Sequence, residues 1–177
     1  MSEIKDWKAL AQKKQAETDE AQALQRKAEE EREHQLLQQN IETATAMQRS
    51  HDALALLMRE CAKISTAYNE GVTAPHLRLR LNEQLHSAPP MKLASFSVWK
   101  GNGEHKAHFN IHCPGEVDLH VYDSDRPSTG LKVKYVVDNA GRLSVSGEER
   151  GFSVQDVASL ACEALIETKS AQTFGYV

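Results

Sequence analysis

MQRSHDALALLMRECAKISTAY, residues 47–68, is the stretch on which the architecture turns. Met47, Leu54, Cys61 and Tyr68 recur every seven residues, with Leu57 and Ile64 at the intervening positions, so one face of a helix is apolar throughout. Such a face has to be covered. Three covers are open to it, the same helix of a second chain, a hairpin within the segment or the chain's own C-terminal domain, and the expectation is self-association between chains, a dimer being favoured. The interface expected is Leu36, Met47, Leu54, Leu57, Cys61, Ile64 and Tyr68.

Upstream the pattern weakens. Leu36, Leu37, Ile41 and Ala44 extend the apolar face, but Ala44, Met47 and Ser50 step by three twice, which predicts a local break in phase. Nearer the start the stripe thins to Ile4, Trp7, Leu10, Ala21, Leu24 and Ala28, with Lys14 and Glu17 where a seam would be apolar. No glycine precedes Gly71 and no proline precedes Pro75. Good helix formers fill that stretch, so a continuous helical rod of roughly 100 Å is predicted. An internal hairpin would need a turn, and Gln38–Thr45 lacks both Gly and Pro. The run Glu29, Glu30, Glu31, Arg32, Glu33 reads as a solvated helix face rather than an acidic docking site.

Gly71 is placed to cap the helix and Pro75 to begin another element. Three segments follow: a long helical oligomerisation segment (1–72), a hinge with a short helix (73–90), and a sheet-plus-helix domain (91–177). Leu77, Leu81 and Leu85, spaced by four, predict a helix over His76–His86, although Leu77, Leu79 and Leu81 also alternate with Arg78 and Arg80 as a strand would.

From Met91 the period changes to two, the mark of a half-buried antiparallel sheet. Lys92–Lys100 is the first strand, and Gly101, Asn102 and Gly103 turn into Glu104–Cys113, where Ala107, Phe109, Ile111 and Cys113 share one face. Glu116–Tyr122 buries Val117, Leu119 and Val121, and Asp123–Thr129 is a loop. Leu131, Val133, Tyr135 and Val137 alternate with Lys132 and Lys134. Asn139, Ala140 and Gly141 then turn into a last strand with Leu143 and Val145. Ser153 and Asp156 form a capping box, with Phe152 and Val157 as a hydrophobic staple, so a helix starts there. Its stripe of Val154, Val157, Ala158, Ala161 and Leu165 suits the apolar sheet face. The fold class expected is α+β: a long N-terminal coiled-coil helix, then a five-stranded antiparallel meander covered on one face by a C-terminal helix.

Charge narrows the functional classes. Residues 1–74 carry 10 Lys+Arg against 13 Asp+Glu, and residues 75–177 carry 11 against 12, so neither part is a polycation. Cys61, Cys113 and Cys162 are odd in number and scattered, unlike a disulfide framework or a metal-binding pair. Neither a signal peptide nor a membrane span is legible, and a soluble cytoplasmic protein with no membrane association is expected.

Six of the eight histidines follow residue 75 and are the candidates for metal or acid–base chemistry. His108 and His112 lie roughly 13 Å apart along a strand, too far to share an ion. Only a cross-strand pair such as His112 with His120 could do so, and spacing supplies no third ligand. His112 and Cys113, as neighbours on a strand, would face opposite ways and make no dyad. Asp123 and Asp125 are ordinary loop residues, and Gly101-x-Gly103 lacks the third glycine of a phosphate-binding loop. No catalytic residue, cofactor or metal is therefore expected. Lys106, His108, His112, His120, Tyr122, Lys132 and Lys134 form the candidate partner-binding face, and the expected function is that of a noncatalytic adaptor or scaffold. Its partners would be itself and another protein. Two alternatives stand: a nucleic-acid-binding accessory protein using the Lys and His face, and a small metal-dependent or His/Asp enzyme.

Overall fold

The computed structural model describes residues 7–85, 93–123, 125–145 and 151–167. Ile4 of the upstream stripe, residues 86–90 of the expected hinge, and Met91 and Lys92 of the first expected strand lie outside these. The protein is α+β. Helix α1 (Trp7–Glu70) is followed by a single 3-10 turn at Pro75–Leu77 and then by seven strands. These are β1 (Leu79–Leu85), β2 (Leu93–Lys100), β3 (His105–Asn110), β4 (Glu116–Asp123), β5 (Arg126–Val137), β6 (Leu143–Val145) and β7 (Gly151–Phe152). Helix α2 (Val154–Glu167) closes the order. The chain divides into two compact units, residues 1–42 and 43–177.

Within residues 43–177 the sheet is a pure antiparallel meander, order β1-β2-β3-β4-β5-β6-β7, with seven strands instead of five. The additions are physical corrections. Residues 79–85 are strand β1, not the short helix expected over His76–His86, because the whole segment pairs with β2 from Leu79↔Lys100 to Leu85↔Leu93. The 3-10 turn before it is fixed by Gly101, whose N–H donates to Arg78 O at 2.8 Å. Gly101 has φ +59, and a Cβ there would stand 2.3 Å from His76 O, so only glycine fits. Residues 126–129, expected as the end of a loop over Asp123–Thr129, begin β5, with Asp123 opposite Arg126. Strand β7, two residues long, is too short to carry a periodicity.

The α2 start forms as its residues imply. Asp156 N–H donates to Ser153 Oγ at 3.1 Å, and Ser153 N–H donates to Asp156 Oδ2 at 3.0 Å. At the other end Lys100 Nζ donates to Ile166 O at 3.0 Å, a cation on the free carbonyls of a helix C-terminus.

The core lies between one sheet face and two helical stripes. Phe96, Val98, Ala107, Phe109, Val117, Leu119, Tyr135, Val137 and Leu143 face Val157, Ala158, Ala161, Cys162 and Leu165 of α2 together with Ala53, Leu54, Leu57 and Cys61 of α1. Phe96 and Phe109 stack with ring centroids 4.6 Å apart. Side chains pin α1 over the sheet: Asn69 donates to Leu79 O and accepts from Leu79 N–H, and His51 Nδ1 is 2.9 Å from Leu93 O. Gly115 N–H donates to Ala46 O at 3.1 Å, and Arg49 hydrogen-bonds Asn139.

Candidate functional site

The seam residues come first. Leu54, Leu57 and Cys61 are fully buried in this chain's own core, and Ile64 and Tyr68 pack against it. Met47 is half-buried within the same unit. Here a sheet covers the heptad stripe, where a second helix was expected, and Leu36 alone of the expected interface stays open, at 59% exposure. The Cys61 thiol is pushed up by hydrogen bonding to Cys162 and by burial, as befits a thiol held protonated inside a core.

Residues 7–42 form a helical unit of their own. Trp7, Leu10, Leu24, Leu36, Leu37 and Ile41 are all exposed there. Polar neighbours are joined along the helix, Lys14 to Glu17 at 2.9 Å, Gln15 to Asp19 at 2.8 Å and Gln25 to Glu29 at 3.1 Å.

The second candidate is the sheet face opposite the core. Strand alternation puts Lys106 and His108 (β3), His120 and Tyr122 (β4) and Lys132 and Lys134 (β5) on this one face, and the register assembles them into rows. One row runs Arg80, Trp99, Lys106, Tyr122 across four strands. The next runs Asn82, Ser97, His108, His120, Lys132. A third runs Gln84, Ser95, Asn110, Asp118, Lys134. Acids are segregated. Asp118 stands in the third row, and Glu116 lies beyond it, 3.1 Å from Lys134, whose ammonium it raises above the usual range. The first two rows hold three permanent cations and no carboxylate.

Within those rows the side chains touch. Lys106 Nζ sits 4.8 Å from the centre of the Trp99 ring, a cation–π contact. Ser97 Oγ is 2.8 Å from His108 Nδ1, and burial holds the His108 imidazole below its ordinary range. The His120 and Tyr122 rings are tilted at a centroid distance of 4.4 Å. Gly130 makes room for both, since a Cβ there would come 2.5 Å from Tyr122 Cβ and 2.8 Å from His120 Nε2. Trp99, absent from the expected set, gives the face a second aromatic; its alternation with Phe96 and Val98 would have put it there.

His112 falls outside these rows. Strand β3 ends at Asn110, so His112 and Cys113 stand in the connection to β4, and the residue opposite His120 is His108. His105, at the start of β3, pairs with Asp123. Among the described residues no three His, Cys, Asp or Glu side chains come together to hold a metal ion. Nor is any described helix long and apolar enough to cross a membrane. Comparison with protein-family models, with curated proteins and with solved structures gives no match in any of the three.

Proposed function

We propose that this is a noncatalytic binding protein that pairs with a second copy through the first half of α1 and offers the polar sheet face to a macromolecular partner. The observation that carries the pairing is the contrast along one helix. Ala53, Leu54, Leu57 and Cys61 are buried in the core that the helix shares with the sheet and α2, whereas every large apolar side chain named above between Trp7 and Ile41 is exposed. In proteins most helical stability comes from packing an apolar face rather than from propensity, and a row of exposed large apolar side chains marks a surface for contact.

A second copy fits the pattern of residues 7–24. Set antiparallel about the midpoint between Gln15 and Ala16, Trp7 meets Leu24 of the second copy, Leu10 meets Ala21, and Lys14 meets Glu17. The two charged positions that spoil the stripe then neutralise each other across the pair. A parallel pairing would instead oppose Lys14 to Lys14 and Glu17 to Glu17. Leu36, Leu37 and Ile41 lie beyond this overlap.

Sedimentation equilibrium of the full chain at high micromolar concentration tests the pairing, and a monomer there would end it. Nitroxide labels at Glu33→Cys in a Cys113→Ser background test the orientation, Cys61 and Cys162 being fully buried. Antiparallel helices place the two labels more than about 50 Å apart, and parallel ones roughly 20–25 Å.

A further inference from the structure

We infer that the Arg80–Lys132 half of the open sheet face is a site for single-stranded nucleic acid. The inference rests on reading the sheet domain as a binding module, and it names the partner. Three features of the face point the same way. Cation and aromatic alternate along one row, Arg80, Trp99, Lys106, Tyr122, on four successive strands. That alternation matches a strand whose phosphates want cations and whose bases want flat apolar rings.

The carboxylates of the face are gathered at its other end, at Asp118 and Glu116, with Lys134 held by Glu116. Among the described residues, the rows that carry the aromatics therefore hold positive charge without a carboxylate beside it, although the chain as a whole has a net charge of −4. The third feature is Trp99 Nε1. It is buried beneath the face and finds no acceptor among the described residues, a costly arrangement for a donor. Lys106, lying over that ring, is the side chain whose movement toward a phosphate would open the ring for stacking and its N–H for an oxygen acceptor. An acidic peptide would satisfy the cations and could offer the indole N–H an oxygen, but it brings no bases to stack on the rings.

The test is fluorescence anisotropy of a labelled oligothymidylate of about a dozen nucleotides, titrated with the full-length protein at 50 mM and 200 mM salt. Neutralising about three phosphates gives a log–log salt slope near −2, so affinity is expected to fall roughly twentyfold between the two conditions. Lys106→Gln combined with Lys132→Gln, whose side chains support no core contact, is expected to weaken binding at least tenfold at unchanged melting temperature. In a Trp7→Phe variant Trp99 is the remaining tryptophan, and its emission is expected to be quenched by the oligonucleotide, a signature of stacking that charge attraction alone does not give. No anisotropy change at 50 mM salt overturns the site. Equal displacement by polyglutamate overturns the nucleic-acid assignment while leaving the face a binding surface. Both outcomes are independent of whether residues 7–24 pair.

Discussion

His108 shows how a polar sheet face can be costly to fold. Its ring is packed between Ser97 and His120 on neighbouring strands, and burial disfavours its charged form, so its folded pKa lies below the ordinary 6.5. Above that value both folded and unfolded chains hold it neutral, and it contributes nothing to pH dependence. As pH falls through 6.5 the unfolded chain takes up the proton first, so stability declines until the lower folded pKa has also been passed. Denaturant melts of the protein and of His108→Gln between pH 7 and pH 5 are expected to show a steeper acid loss in the unsubstituted chain. Parallel slopes would mean that the imidazole is not held neutral. Trp99 escaped the sequence reading for a separate reason. It was assigned to a strand, but its membership of the Lys106 row depends on a register that becomes visible only once β1 to β4 are paired.

Elements were legible to the degree that one period excluded the other. Strands β2 to β4, the later part of β5 and β6 announce themselves because Val, Ile, Phe and Leu alternate with polar residues between turns marked by Gly, Pro or Asp. Strand β1 did not, since leucines at 77, 79, 81 and 85 satisfy both a step of two and a step of four. Pairing along the whole of β2 decided the matter. The seam misled for a related reason. Over three heptads a repeat of 3.5 residues drifts from an ideal helix by about 20° per heptad, so the pattern marks a buried helical face without saying what buries it. Leu57 separates the two covers. Because it is fully buried in this chain's own core, Leu57→Ala is expected to lower the unfolding free energy by about 2–5 kcal/mol and to leave self-association measured by sedimentation unchanged. Weakened association in the folded variant would return Leu57 to an interface between chains.

For the whole molecule, one helix belongs to two energetic regimes. Its part from Thr43 onward shares a core with the sheet, while residues 7–42 form a separate compact unit with exposed leucines. Amide exchange measured at low concentration is therefore expected to be slow across residues 53–65 and fast across residues 10–37, with residues 10–24 slowing as concentration rises and copies pair. Uniform protection along α1 at every concentration would contradict both the division and the pairing. Synthesis runs in the order of the chain, and the meander comes after the helix that it shelters. Leu54, Leu57 and Cys61 leave the ribosome before any strand exists, and the last residues of their shared core follow roughly a hundred positions later, about 5–20 s at ordinary translation rates. During that wait the nascent chain displays a sticky ridge with nothing to rest on. Slow codons or a missing chaperone would thus expose this protein to entanglement with its own unfinished siblings.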